Sequence, residues 1–527
     1  MTNWQRYAPY LFLVAVVFAV YANVYDNVFL FDDDLLIRLN SYLRSWDTFG
    51  KLLTASTTEG AHIAGGFYRP LQNILYFFIF QIWGEHPFGF HLLNLSIHAA
   101  NACLAYRLAL RLGFDPRASL FAILIWALHP LHTEAVTYMS GTADPLFVLF
   151  CLWGLNVLFP QPTLCRIWCC VPIFILGLLS KETAVVFPAL VVVSLYLTSE
   201  ARLKPKSYLI TWPLWVIAVL YLLWRVNSPA FDGPARYQQL LQMPAYGVMH
   251  YYSEHPWVRF ITFLATLPAY GQLILWPCDL YMERSFPLYD DPMSTQVVMG
   301  CLMLAAALAA IYWGRTKATR PLAWGLLWFG AAHAPNSGIL FSMNSLFLEH
   351  WMYLPTIGLF LGLSETGMVA INRLKYTSEQ YVVLGLAGLL VVGLSARTFD
   401  QNGIWREPIV FYTHIFSYKV QSPRAHNNLA IAYMDNHQMD KAIEEYHKAV
   451  EEGDTYAETH YNYAIALMAL PNQREQIPQV IAELERSIQI EPGFYRSYLA
   501  LGDLYRQLGQ PAKATYYTQK AHELLGR

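Results

Sequence analysis

The chain has 527 residues, of which 55% are hydrophobic and only 14% charged, against about 25% charged in a soluble globular protein. That composition belongs to a membrane. A net charge of −2 leaves no basic stripe with which to displace counterions from nucleic acid, and it is too small for an acidic solvating tail.

Taken in chain order, apolar runs lie at 9–26, 92–112, 118–136, 142–159, 166–180, 183–198, 207–226, 296–313, 321–336, 351–371 and 381–398. Most approach the ~20 residues that cross a bilayer core as helix. The first run, Pro9 to Tyr25, also has the small residues Ala19 and Ala22 of a cleavable signal. An uncleaved anchor fits better, because the most charged loop of this half follows at once and needs its tether. Basic residues then set the orientation. Arg107, Arg111 and Arg117, then Arg166, then Arg202, Lys204 and Lys206, then Arg315, Lys317 and Arg320, and finally Arg373 and Lys375 are all expected on the cytoplasmic side. An even number of spans must therefore separate Lys206 from Arg315. Of the three apolar stretches that compete there, Trp257 to Trp276 is the weakest, with Arg259 near its start and Pro268 and Gly271 inside it. It is expected to be re-entrant or interfacial. Eleven spans put the N-terminus inside and the C-terminus outside. Six of the seven cysteines, Cys103, Cys151, Cys165, Cys169, Cys170 and Cys301, sit in or beside apolar runs and read as small core residues, with no zinc spacing or disulfide framework.

From about residue 423 the chain repeats itself. Leu429, Ala430, Tyr433, Ala442, Tyr446 and Ala449 occupy the small and aromatic positions of a helix-turn-helix unit with a period of about 34 residues. Leu501, Gly502, Tyr505, Ala514 and Ala521 repeat those spacings. Tyr463, Ala464, Leu467, Leu484 and Pro492 form a middle unit lengthened by the 471–478 loop. These resemble tetratricopeptide repeats, whose stacks present a concave groove to a peptide or protein. A spacer or a dimer contact is the plainer reading.

On this topology the external segments are 27–90, 137–141, 181–182, 227–295, 337–350 and everything after 398, and the unusual polar residues gather in or next to them. Asp32, Asp33 and Asp34 stand just beyond the first span. Three adjacent carboxylates repel one another unless a cation or donor faces them, so the run is either a solvated loop or a site for a general base or a metal. Cations return to the same side. GFYRPLQN carries Tyr68 and Arg69, HPLHTE carries His129, His132 and Glu134, SKET carries Lys181 and Glu182, and LEHWMYLP carries Glu349, His350 and Tyr353. Ionisable groups at span ends are costly and by default mark function. Singly, Lys181 could snorkel beside Glu182, and His129 and His132 could be satisfied core histidines. Two histidines and one glutamate are too few for a metal centre. Together the set describes an outward-facing pocket with acids on one wall and phosphate-binding cations on another.

The order of these motifs is similar to that of a known family. Asp32, Asp33 and Ile37 beyond the first span, Tyr68 to Leu71, Phe90 to Asn94 with His98, the 129–134 motif, Lys181 with Glu182, Glu349 to Pro355, and then the repeats resemble the transmembrane O-mannosyltransferases that target cadherins, and their bacterial relatives. The resemblance implies a C-type glycosyltransferase fold, a donor sugar on a polyprenyl phosphate, and an active site facing the lumen or periplasm. It places the essential acid in the first external loop, matching Asp32 and Asp33, while Asp34 falls on a variable position. A short array of three repeats suggests a bacterial member using undecaprenyl phosphate.

The expectation is therefore an all-α chain. Residues 1–400 form a polytopic membrane bundle with external loops 27–90 and 227–295, 401–422 a linker, and 423–527 a periplasmic solenoid of three tetratricopeptide repeats. The expected function is transfer of a hexose, mannose by the resemblance, from a polyprenyl-phosphate-linked donor to a hydroxyl of an envelope protein, by a single displacement that inverts the anomeric carbon. Asp33 is expected as the base with Asp32 beside it, Arg69 and Lys181 as phosphate contacts, and Tyr68, His129, His132, Glu134, Glu182, Glu349 and His350 as the sugar and acceptor pocket. No metal is obligatory, although carboxylates opposite a phosphate could hold Mg²⁺ or Mn²⁺. The expected location is a bacterial inner membrane, with lipid and an acceptor protein as partners and no nucleic acid. Two rival functions remain. A lipid-linked sugar transporter or flippase would want ionisable groups at the bilayer midplane and symmetry between halves. A membrane-anchored scaffold would leave the external Asp, Arg and Lys set without purpose.

Overall fold

The computed structural model describes residues 3–61, 66–197, 206–228, 247–314, 316, 319–343, 345–374, 377–454, 456–470 and 473–525. Arg202, Lys204, Arg315, Lys317 and Lys375, on which part of the orientation rests, lie outside the described residues, as does part of loop 227–295. Among the described residues every regular element is helical. The chain divides into two compact units, Met1–Met282 with Phe286–Arg406, and Glu283–Ser285 with Glu407–Arg527.

The first unit is built from α1 (Asn3–Val20), α2 (Pro70–Trp83), α3 (Pro87–Arg111), α4 (Pro116–Ala127), α5 (Thr133–Val136), α6 (Ala143–Leu158), α7 (Leu164–Ser180), α8 (Phe187–Leu195), α9 (Trp212–Asn227), α10 (Pro256–Leu275), α11 (Thr295–Trp313), α12 (Arg320–His333), α13 (Pro355–Ile371) and α14 (Thr377–Ile404). Most of these helices open on proline in the first turn, where a missing N–H costs nothing. Among the described residues four segments are long and apolar enough to cross a bilayer: Met139–Leu158, Pro256–Leu275, Thr295–Trp313 and Thr377–Ile404. The bent pair α4 and α5 makes a fifth, and five shorter apolar helices accompany them. The chain is a multi-pass membrane protein. Eleven spans remain an expectation.

Helices approach closely where glycine allows it. Gly325 of α12 faces Gly358 and Gly362 of α13, and a Cβ on Gly325 would lie 2.5 Å from the Gly358 carbonyl oxygen. Small residues of this kind let membrane helices pack backbone to backbone. Gly300 of α11 meets the Leu264 carbonyl of α10 in the same way. Cysteines divide by face: Cys151 and Cys170 are buried as expected, whereas Cys165, Cys169 and Cys301 are exposed on the outside of the unit and are not core residues.

The break expected at Pro268 and Gly271 is not there. α10 runs unbroken for 20 residues through Pro268 and Gly271. A proline removes one backbone donor, and packing against α11 and the Phe347 cluster holds the helix straight through it. The helix is tied to the loop on either side of it, by Thr262 Oγ1 to the Tyr289 carbonyl at 3.3 Å and by Tyr270 Oη to the Leu348 carbonyl at 3.1 Å.

The 401–422 stretch, expected as a linker, is mostly helical. α14 continues to Ile404 with Gln401 and Asn402 buried in the first unit, and α15 (Pro408–Ser417) opens the second. Three helix pairs follow: α16 (Pro423–Asp435) with α17 (Met439–Glu451), α18 (Ala457–Met468) with α19 (Gln473–Ile490), and α20 (Tyr495–Gln507) with α21 (Pro511–Leu525). Their core is the expected set, with Ala430, Ala442, Tyr446, Ala464, Leu484 and Leu501 almost wholly buried. Gly502 is required by close approach, since a Cβ there would meet Thr518 Oγ1 at 2.6 Å.

Candidate active site

The acid run begins on a strained turn. Phe31 has φ +58°, a left-handed conformation that is unusual for a bulky residue and re-aims the chain just ahead of the carboxylates. Its consequence is that Asp32 and Asp33 point to different surroundings. Asp33 is 1% exposed. One carboxylate oxygen accepts from Ser140 N at 2.8 Å and Ser140 Oγ at 2.5 Å, and the other accepts from Leu30 N at 2.9 Å. Burial pushes its pKa up to about 7 against these three donors, with the neighbouring Asp32 charge adding to the rise. Asp32 is half-buried, and its backbone N–H donates to Tyr138 Oη at 2.9 Å. Asp33, expected as the base, is thus held as an anchor by Ser140 and Leu30, and Asp32, expected beside it, is the carboxylate nearer solvent.

The turn that receives Asp33 is itself rigidly held. Tyr76 Oη of α2 donates to the Met139 carbonyl at 2.6 Å, Gln72 Nε2 to the Ser140 carbonyl at 3.2 Å, and Asn94 Nδ2 of α3 to the carbonyls of Val136 at 3.2 Å and Tyr138 at 3.0 Å. Tyr138 stacks on Trp405, with ring centroids 5.4 Å apart. Gly141 is needed because a Cβ would sit 2.8 Å from the Glu134 carbonyl oxygen.

Four residues after Ser140 the same turn presents Asp144, which takes Lys181 Nζ at 2.7 Å on each oxygen. Beside it, Arg69 grips Glu182 through Nη2 at 3.0 Å and Nε at 3.3 Å, and Arg225 approaches the same carboxylate at 3.8 Å. Glu134 accepts from His350 twice, from the backbone N–H and from Nδ1, both at 2.9 Å, and His350 Nε2 lies 4.0 Å from Asp144. The acid loop and the cationic set thus meet on one short segment, 138–144. Tyr68 lies at the edge, donating to the Leu53 carbonyl at 2.6 Å and meeting Trp224 ring to ring at 5.4 Å.

His129 and His132 do not join this set. Both are buried, and His129 belongs to the break between α4 and α5, where the pair bends by 54° at Pro130. Freed backbone groups in a membrane helix need partners. His129 Nδ1 accepts from Leu131 N at 3.2 Å, while His98 Nε2 reaches the Ala127 carbonyl at 2.9 Å and Thr398 Oγ1 the Leu128 carbonyl at 2.7 Å. His132 packs edge-on to Tyr353 and against Trp126. Both are buried histidines packed at the bend, apart from the cluster on 138–144. Glu349 is likewise buried and accepts from Tyr281 N at 2.9 Å, holding a loop in place.

Asp144 and Arg225 were not among the expected site residues. Each is an ionisable group at the end of an apolar run, the same signal that singled out Lys181. Among the described residues no three His, Cys, Asp or Glu side chains converge as metal ligands. Glu134, Asp144 and Glu182 are each engaged by a basic side chain.

A tetratricopeptide repeat model matches residues 423–452 and 495–524. Over the longer chain, the protein O-mannosyl-transferase TMTC4 of Mus musculus is 24% identical across 81% of this chain and 64% of its own length. TMTC3 of the same species is 23% identical across 94% of this chain and 57% of its own. The chain is thus similar to protein O-mannosyl-transferases along most of its length. A stretch covering 27% of the chain rises to 35% identity with TMTC2 of Mus musculus. The chain spans less than two thirds of the length of these O-mannosyl-transferase relatives. A solved structure of ArnT from Cupriavidus metallidurans bound to undecaprenyl phosphate aligns over 98% of this chain and 75% of its own at a TM-score of 0.38 and 12% identity.

Proposed function

We propose that the chain is a glycosyltransferase that moves a hexose from a polyprenyl phosphate to a hydroxyl of an envelope protein at the non-cytoplasmic face of the membrane. The observation that carries this is the segment 138–144, which holds the acid loop through Ser140 and the cationic set through Asp144. Its kinship with protein O-mannosyl-transferases supports mannose as the sugar and a protein as the acceptor.

In this reading Asp32 takes the proton of the acceptor hydroxyl as that oxygen bonds to the anomeric carbon. The bond from that carbon to the carrier phosphate breaks in the same displacement, which inverts the centre, and the electron pair leaves on the polyprenyl phosphate. Arg69 stabilises the departing charge. Its Nε and Nη2 are committed to Glu182, which leaves Nη1 for the phosphate, and Arg225 stands beside it. Lys181 is held deeper, paired with Asp144 at 8% side-chain exposure, and acts by fixing the turn. His350, oriented by Glu134, borders the sugar.

Purified protein supplied with polyprenyl-phosphate mannose and an acceptor peptide tests the assignment. Asp32→Asn is expected to lower transfer by about 10³-fold, within the range for a general base, without change in melting temperature. Asp33→Asn is expected to lower melting temperature and activity together. Full transfer by Asp32→Asn would overturn the reading. Transfer that survives EDTA is expected, because Glu134, Asp144 and Glu182 are each engaged by a basic side chain.

A further inference from the structure

A second polar site lies at the other end of α3. The rung of α3 that supports the 138–144 turn is Asn94, and Arg107 follows 13 residues later, about 20 Å along the helix. There a cavity of about 450 Å³ is bounded by Arg107 and Arg111 of α3 and by Arg166 of α7, with Leu104, Trp153 and Val157 as its apolar side.

The charges converge without an acid. Arg107 and Arg166 both act electrostatically on Arg111. Among the described residues none of the three forms an ion pair, and the Arg107 guanidinium makes no hydrogen bond. Arg111 Nη1 donates to the carbonyls of Asn156 and, at 2.8 Å, Phe159, and Arg166 Nη1 donates to the Gln161 carbonyl at 2.9 Å. Those bonds fix two guanidiniums around the cavity and leave their net charge unneutralised. A bias of basic residues toward one side of a membrane explains which face they occupy. It does not explain why residues from two helices line one cavity, where like charges repel. The apolar side is equally specific: Trp153 is 46% exposed and borders the cavity toward the outside of the unit. A phosphate between the guanidiniums, with its chains leaving along Trp153 and Val157, satisfies both halves. Free phosphate would satisfy only one.

We infer that this cavity binds the phosphate headgroup of an anionic phospholipid from the leaflet opposite the acid site. The site is separate from the transfer chemistry and stands whether or not the proposed function does. Guanidiniums keep their charge throughout the accessible range, so retention is independent of pH.

The test is native mass spectrometry of the full chain released from nanodiscs of mixed phosphatidylglycerol and phosphatidylcholine. Wild type is expected to retain phosphatidylglycerol in preference to phosphatidylcholine. Arg107→Gln is expected to reduce that retention about fivefold, and the double variant with Arg166→Gln about 25-fold. Arg107→Lys, which keeps the charge, is expected to recover most of it, and matching elution volumes establish that the variants are folded. Excess inorganic phosphate is expected to leave the lipid bound. Equal retention of the two lipids, wild-type retention by the double variant, or complete displacement by inorganic phosphate would each overturn the inference.

Discussion

Large apolar side chains stay uncovered along the helices of the membrane unit, among them Leu302, Leu308 and Tyr312 of α11 and Val382, Leu386 and Leu389 of α14. In the repeat unit the exposed ones reduce to Val410, Tyr456, Tyr516 and Leu525. Both interiors hold polar groups. The membrane unit buries Asn94, His98, Asn101, Gln72, Asp33 and Asp144, and the repeat unit buries Ser422, Asn427, Thr459, Ser487 and Ser497 beside a core made largely of alanine, leucine and tyrosine. Lipid offers no gain for burying leucine, so the first unit gains cohesion from close backbone contact and internal hydrogen bonds. Water supplies the hydrophobic term for the second. The repeats still carry one recurrent polar pair. His426 Nδ1 lies 2.5 Å from Glu445, and His460 Nδ1 lies 2.6 Å from Glu483 in the next unit.

The contrast can be broken most severely at the buried ion pair. Asp144→Ala strands Lys181 in the interior of the membrane unit, and a loss of about 3–5 kcal/mol is expected for a broken buried pair, read as a fall in detergent melting temperature. Restoration by the double variant with Lys181→Met would show that the pair, and not either side chain, carries the effect. Deleting 407–527 is expected to lower transfer to a protein acceptor while leaving donor hydrolysis intact, because the chemistry is confined to the first unit. Equal loss of both would mean that the repeats support the fold of the membrane unit. A subtler comparison uses two glycines. Gly325→Ala drives a methyl into a backbone carbonyl and Gly502→Ala drives one against the Thr518 hydroxyl. About 1–3 kcal/mol is expected for the first, typical of overpacking, and less for the second.

The last effect is in pH. Asp33 binds its proton more tightly in the folded protein, with a pKa raised to about 7 by burial. The stability this contributes is complete at acid pH, below the ordinary carboxylate range, and is lost as pH rises toward 7. The melting temperature of wild type is expected to decline across that window, with a loss of stability on the order of a few kcal/mol. Asp33→Asn, which cannot titrate, is expected to remove that part of the slope. An unchanged slope would mean that Asp33 stays ionised.

How much of this the amino-acid sequence discloses depends on how local each cause is. The repeats are legible because their small and aromatic residues recur within one helix pair. Arg69, Glu134, Lys181 and Glu182 stand out because charge is costly beside apolar runs. Asp32 and Asp33 cannot be told apart that way: they are adjacent and identical, and only Ser140, 107 positions later, separates their surroundings. His129 is similar. Its place at a helix break is completed by Thr398, which bonds Leu128 across 270 positions. Pro268 misleads for the same reason, since the partners that carry α10 past it lie in distant segments.

The clamp between Asp33 and Ser140 also bears on how the protein is made. A ribosome releases the acidic segment first, and the residue that closes it is synthesised only after α2, α3, α4 and α5 have been completed. Until those helices are in place the carboxylate has neither its serine nor its burial. Assembly of the proposed site is therefore expected late in biogenesis, when the fold has closed around a segment that emerged near the start.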